Sequence, residues 1–258
     1  LEQAPALIAL RDARLRTLAT AAESCGADTT CHASALRWSL EDVAAADRAL
    51  RDLVSRDEAV KAFVENVLRP SGLLKRHDGE NAEGLVAAAW RDAAGALNRI
   101  IEIYALGTPP LYPLIDSVSY DPHSDVYRRL VDIMVTVLHE QRDDLALFYD
   151  PALGFARRLL DANRRDEAGR FEPLQEGENA AAYRRVSTID WSRYAYSAIL
   201  VPGAGPDRPD VRLDPWAKMR LELAVARYRA GKAPFLIVSG GFVHPNLTPF
   251  NEAFEMKQ

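Results

Sequence analysis

The first part of the chain, residues 1–165, carries apolar side chains at the three- and four-residue spacing of amphipathic helices. Ser39, Ser55, Asn81 and Ser124 each precede such a pattern, and their side-chain oxygens are of the type that caps helix N-termini. Each predicted helix has one apolar stripe that must be buried against the other helices. The pattern therefore predicts a helical bundle over 1–165.

A different pattern begins near Tyr194. Residues 198–202 and 235–239 are two short apolar runs, rich in β-branched side chains, and each is followed at once by small residues. Between them, residues 215–230 have a helical pattern that Gly231 closes. The order of strand, helix and strand predicts a parallel sheet, and ligands of such sheets bind beyond the carboxyl ends of the strands.

These patterns give an α/β protein with three parts. They are a helical domain over 1–165, a charged and poorly periodic connection over 166–193, and an α/β domain over 194–258. The last part has room for two strands only, and a two-stranded parallel sheet buries little surface. We therefore expect the sheet to be truncated here and to be completed by a second chain or by a further C-terminal segment.

Composition excludes some classes of function. The formal net charge of the 258 residues is −5, which argues against non-specific nucleic-acid binding because that needs a concentrated basic surface. The chain has no run of about 18 apolar residues, so the sequence predicts no transmembrane segment.

Cys25 and Cys31 are the two cysteines of the chain, and turn-forming residues separate them. This spacing favours a disulfide in an oxidising compartment. Two free thiols are the alternative, whereas a zinc site needs four ligands and His32 alone stands nearby. A disulfide would indicate a periplasmic or otherwise extracytoplasmic protein whose signal peptide has been removed or lies outside this sequence.

Gly203, Ala204 and Gly205 follow the first predicted strand. Small residues let a ligand approach the backbone, and successive free N–H groups can form an anion-binding nest. The segment matches neither the dinucleotide fingerprint nor the P-loop. It is either part of a ligand site or a tight turn at the strand exit.

Ser239, Gly240 and Gly241 follow the second predicted strand. Their N–H groups and the serine hydroxyl could bind a phosphate or carboxylate. Ser239 could instead be a nucleophile activated by His244, but the Gly-x-Ser-x-Gly elbow is absent, so binding is favoured. His244 is accordingly a further candidate ligand-binding residue.

Two charged residues complete the candidate site. Arg220, on the intervening helix, could pair with a phosphate or carboxylate, or lie on a solvated face. Glu252, in the first turn of the last helix, could be a general base, or could simply favour the helix N-terminus. No set of metal ligands is predicted.

Residues 198–257 resemble the YdcF/SanA/ElyC family, a bacterial domain of unknown function. The resemblance lies in the strand exit 201–205, the helix and strand lead-in 219–234, the run Val-Ser-Gly-Gly at 238–241 and Asn-Glu-Ala at 251–253. The helical bundle is outside it.

The resemblance implies a Rossmann-like α/β domain with its site at the strand ends. It also implies a role in the bacterial envelope, in cell-wall or surface-polysaccharide metabolism, and S-adenosylmethionine is a possible cofactor. Further family motifs, an aspartate and then a Ser/Thr and Asn cluster, would follow residue 258. The residues at the positions of the family's motif are Arg220, Ser239, Gly240, Gly241 and Glu252.

Together these features predict an envelope-associated protein that binds a small anionic ligand, nucleotide-like or a sugar phosphate. Hydrolysis or group transfer would fit the site, and so would binding alone. The alternatives are a non-catalytic interaction module that works through the helical bundle and an S-adenosylmethionine-binding protein.

Overall fold

The protein is mostly helical, at 63% of its residues, and contains a small two-stranded parallel sheet. It divides into two compact units, Leu1–Pro109 with Tyr120–Asn163, and Pro110–Ser119 with Arg164–Gln258. The grouping of Pro110–Ser119 with the second unit has no counterpart in the sequence-based boundaries. The computed structural model describes residues 4–113, 118–165, 173–242, 244–245 and 248–258.

The first unit is helical. Ser39, Asn81 and Ser124 each accept a hydrogen bond from the N–H three residues on, which confirms the predicted caps. Ser55 does not cap a helix, because it lies inside the helix Leu40–Arg56, and Asp57 caps the next helix, Glu58–Phe63, instead. The helices are α1 (Pro5–Ser24), α2 (Thr29–Leu36), α3 (Leu40–Arg56), α4 (Glu58–Phe63, continued by a π-helical turn over Val64–Leu68), α5 (Ala82–Leu106), α6 (Asp125–Glu140) and α7 (Asp150–Ala162).

An aromatic cluster forms part of the core of this unit. The rings of Trp38 and Trp90 meet edge to face with centroids 4.7 Å apart, and Phe148 packs edge-on against both. The Trp90 indole N–H donates to the Val43 carbonyl at 3.0 Å. Asn98 accepts from the Trp38 N–H and donates to the Trp38 carbonyl, which fixes the chain between α2 and α3 against α5.

Cys25 and Cys31 form a disulfide, as the sequence predicts. The bond joins the end of α1 to the first turn of α2. His32 is fully buried beside it, with Nε2 2.7 Å from the Gly26 carbonyl and 3.3 Å from the Asp132 carboxylate. His32 therefore holds α2 against the preceding turn and against α6.

The second unit contains the sheet. Part of the segment predicted as a connection forms short helical turns here, including the helix Ala180–Arg185. The predicted strand, helix and strand are confirmed, since the strands Ile199–Pro202 and Leu236–Ser239 pair in parallel, with Ile199 opposite Leu236 and Pro202 opposite Ser239. The elements are α8 (Ala180–Arg185), β1 (Ile199–Pro202), α9 (Pro215–Arg229), β2 (Leu236–Ser239) and α10 (Glu252–Lys257).

The two faces of the sheet differ in burial. Val201 is buried and, together with side chains on the same face, packs against α9 and against Met256 of α10. On the opposite face Leu200 and Ile237 are neighbours in the register, and they are 62% and 50% exposed. One face therefore belongs to a core, while the other presents apolar side chains to solvent.

Candidate functional site

The exits of the two strands lie side by side. The register brings Pro202 opposite Ser239, and the Gly203 N–H donates to the Ser239 carbonyl at 2.7 Å, which extends the pairing by one residue. Because the strands are parallel, both small-residue loops leave the sheet at the same edge. The structure thus brings the two predicted loops together.

The loop after β1 holds a carboxylate of the chain itself. Oε1 of Glu252 accepts hydrogen bonds from the N–H groups of Ala204 at 2.7 Å and Gly205 at 2.8 Å. Gly205 has φ +54°, a left-handed conformation that turns the two successive N–H groups toward one point. The predicted anion-binding nest is present, and Glu252 occupies it.

Glycine is required on both sides of this carboxylate. A Cβ atom on Gly203 would overlap the Glu252 carboxylate, and a Cβ on Gly240 would lie 2.7 Å from the Glu252 Cβ. A Cβ on Gly205 would lie 2.6 Å from Cδ2 of His244. The two loops therefore form a cradle whose shape fits the glutamate.

The start of α10 fixes the position of Glu252. Asn251 is buried and caps the helix by accepting from the Phe254 N–H at 3.1 Å. The Glu252 N–H donates to the Gly241 carbonyl at 3.3 Å, which ties the helix start to the loop after β2. At the other end Met256 is buried in the core of the unit. The glutamate is therefore held by its backbone as well as by its carboxylate.

Arg220 reaches the same edge of the sheet from α9. Ala217 and Ala224 on this helix are buried against the sheet, while Arg220 is exposed. Its Nη1 donates to the Gly203 carbonyl at 3.3 Å. The guanidinium therefore lies at the exit of β1, and its other N–H groups make no hydrogen bond with the residues that the structure describes.

The loop after β2 offers donors. The Ser239 hydroxyl and the N–H groups of Gly240 and Gly241 make no hydrogen bond with the residues that the structure describes. Ser239 and Gly240 are exposed, and Gly241 is half-buried. These three donors remain open to a ligand, whereas the two donors of the loop after β1 are already engaged.

The structure does not assemble a serine–histidine pair. The His244 ring packs against Gly205, and no hydrogen bond joins it to Ser239 within the described part of the chain. A nucleophilic serine needs a base within hydrogen-bond reach. The arrangement instead places a carboxylate, a guanidinium and three donors at one edge, which suits ligand binding.

Two surface grooves, which the sequence did not predict, lie in the helical unit. One, of about 600 Å³, is lined by the N-terminal end of α1 and the junction of α3 and α4 around Asp57. The other, of about 430 Å³, is lined by α1 and by Cys25 and Cys31. Among the described residues, no cluster of three or more His, Cys, Asp or Glu side chains is arranged to hold a metal ion.

Comparisons with known proteins found no matching family model, no matching curated protein and no matching solved structure. Within the described ranges, no helix combines the length and the apolar character needed to cross a membrane. The class of protein is therefore defined by its architecture, a helical unit and a unit with a small parallel sheet.

Proposed function

We propose that the second unit binds a small anionic ligand at the exits of β1 and β2. The observation that carries this proposal is a set of donors at Ser239, Gly240 and Gly241 that make no hydrogen bond with the described residues, at the same strand exits as the Arg220 guanidinium. Main-chain N–H groups and a guanidinium together recognise phosphate and carboxylate groups. The resemblance of residues 198–257 to the YdcF/SanA/ElyC family supports the same location.

The two loops have different roles in this proposal. The N–H groups of Ala204 and Gly205 hold Glu252, so the anionic group of the ligand lies against the loop after β2 and Arg220. Gly203 leaves the space that the Glu252 carboxylate fills, because it has no side chain. Its carbonyl accepts a hydrogen bond from Arg220 and so orients the guanidinium. This differs from the sequence-based expectation that the loop after β1 contacts the ligand directly.

A Rossmann-like domain acting in the bacterial envelope is the wider setting that we propose. The β1–α9–β2 unit, with its candidate site at the carboxyl ends of the strands, supports the fold. The Cys25–Cys31 disulfide supports an extracytoplasmic location, because disulfides persist in oxidising compartments. Hydrolysis or group transfer on a nucleotide-like or sugar-phosphate ligand fits the exposed site, with Glu252 as the group that handles a proton or hydroxyl.

Calorimetry with glucose 1-phosphate and ADP tests the proposal. We expect Arg220→Ala to weaken binding by about tenfold to a hundredfold, since a hydrogen bond to a charged group contributes about 1.5–3 kcal/mol. Arg227→Ala, on the exposed surface of the same helix, should leave the affinity unchanged. Absence of binding to the wild-type protein, or equal binding by the Arg220→Ala variant, would overturn it.

An interaction module remains a second candidate because α6 carries an exposed apolar stripe. Val126, Ile133 and Val137 are 75%, 56% and 36% exposed, and they repeat at helical spacing along a stripe separate from the buried face of the helix. Sedimentation of the wild type and of Ile133→Asp tests this candidate. It predicts that the wild type self-associates and that the Ile133→Asp variant does not.

Completion of the sheet by a further segment or a second chain also remains a proposal. The exposed pair Leu200 and Ile237 favours a contribution from such a segment that covers this face, because parallel sheets are usually covered on both faces.

A further inference from the structure

We infer that the ligand of this site carries a hydroxyl group next to its anionic group, and that Glu252 accepts a hydrogen bond from that hydroxyl. The inference rests on the proposed function and specifies its substrate class. A sugar phosphate or a nucleotide fits this description, whereas a bare inorganic anion does not.

The first argument is the division of the Glu252 carboxylate into two oxygens with different surroundings. Oε1 accepts both N–H groups of the nest, from Ala204 and Gly205. Oε2 makes no hydrogen bond with the described residues, although the side chain is half-buried. A carboxylate oxygen accepts hydrogen bonds and donates none when ionised, so the natural partner of Oε2 is a donor such as a ligand hydroxyl.

The second argument is that the carboxylate is held in place before any ligand binds. The missing side chains of Gly203 and Gly240 leave the space that it fills, and the nest fixes its orientation. A side chain fixed in this way loses little further conformational freedom when a hydroxyl binds to it. The Glu252 carboxylate is thus preorganised to accept a hydrogen bond from the ligand.

The third argument comes from the charges at the two sides of the site. Arg220 and the donors of Ser239, Gly240 and Gly241 attract an anionic group. Glu252 repels such a group, since like charges at a few ångströms destabilise each other. A ligand that satisfies both sides therefore has its anionic group at the loop after β2 and a neutral hydroxyl at Oε2.

Three phosphates that differ in their hydroxyl groups provide the test. We expect the wild type to bind glycerol 3-phosphate about tenfold more tightly than propyl phosphate, because the hydroxyl bonds to a charged acceptor. Inorganic phosphate serves as the third probe and reports the anion subsite alone. Calorimetry of the full chain gives the three affinities.

Variants of Glu252 and of Glu255, on the same helix, then test whether Glu252 causes the preference for glycerol 3-phosphate. In Glu252→Gln and in Glu252→Asp we expect the ratio between glycerol 3-phosphate and propyl phosphate to fall to about twofold or less, since the acceptor is neutralised or withdrawn. Glu255→Gln removes the same charge from the same helix, away from the nest, and should keep the wild-type ratio. Circular dichroism of each variant establishes that the unit remains folded.

The outcomes separate this inference from the proposed function. If the wild type binds none of the three phosphates, the proposed function itself fails. If it binds all three equally, the anion site stands and the hydroxyl inference is overturned. If Glu252→Gln binds inorganic phosphate more tightly and the wild type shows no preference, Glu252 is a competitor for the anion and the inference is also overturned.

Discussion

Gly203 lies directly against the carboxylate of Glu252, so that a Cβ atom at position 203 would overlap it. The same carboxylate accepts the N–H groups of the two residues that follow Gly203. The glycine at the exit of β1 is therefore required by a side chain of the protein itself, before any ligand is considered.

We expect Gly203→Ala to destabilise the second unit by about 1–3 kcal/mol, because the new methyl group forces the carboxylate out of the nest and leaves two N–H groups without an acceptor. Urea unfolding followed by the fluorescence of the unit's tryptophans gives the change in free energy. The double variant Gly203→Ala with Glu252→Ala supplies the control, since the steric part of the cost should vanish there. An equal effect of Gly203→Ala in both backgrounds would contradict the contact.

The Cys25–Cys31 bond closes a short loop between α1 and α2. In the chain-entropy account a loop of this size contributes about 2 kcal/mol to stability. We expect the variant in which both cysteines are serine to unfold at lower urea concentration than the wild type, by that free energy. A reductant should lower the wild-type midpoint and leave that of the variant unchanged, whereas an unaffected wild type would refute the prediction.

Local signals allowed much of the fold to be predicted. Ser39, Asn81 and Ser124 act within three residues of themselves, so their caps could be recognised from sequence alone. The parallel pairing of β1 and β2 followed from two apolar runs separated by a helix. Ser55 misled because α3 continues through it to Arg56, so that Asp57, two residues later, is the residue that caps α4.

The residues that contact each other in the candidate site are distant in sequence, and no local sequence pattern predicts these contacts. The sequence predicted that the two glycine loops lie together and that the N–H groups of both loops bind a ligand. The structure shows Glu252 in the nest of Ala204 and Gly205, a pairing that depends on where α10 starts relative to the sheet. The contacts of Asn98 with Trp38 are of the same kind, because α2, α3 and α5 must pack before they exist.

Asn98 makes two hydrogen bonds with the backbone of Trp38, accepting at 2.7 Å and donating at 2.8 Å. We expect Asn98→Ala to cost about 2 kcal/mol, because the N–H and the carbonyl of Trp38 lose their partners in a largely buried place. Arg99→Ala is the matched control, because Arg99 is the next residue on the helix and its side chain is exposed. This substitution should change the unfolding free energy by less than about 0.5 kcal/mol. Urea midpoints that are equal for the two variants would count against this role.

Tyr127 gives the helical unit a dependence on alkaline pH. Burial raises the pKa of its phenol to about 12, against the opposing effect of the hydrogen bond that Asn163 donates to its oxygen. The group must be neutral in the folded state, so its contribution is fully present below the unfolded pKa of about 10 and is lost as the pH rises toward 12.

We therefore expect the unfolding free energy of the wild type to fall between pH 10 and pH 12 more steeply than that of Tyr127→Phe, by up to about 1.4 kcal/mol per pH unit. At neutral pH the variant should be the less stable of the two by about 1 kcal/mol, since it lacks the hydrogen bond from Asn163. Tyr196→Phe, at an exposed tyrosine, controls for the loss of a phenol in general. Urea unfolding at a series of pH values measures all three proteins, and parallel curves for the wild type and Tyr127→Phe would show that the buried phenol does not set the alkaline limit.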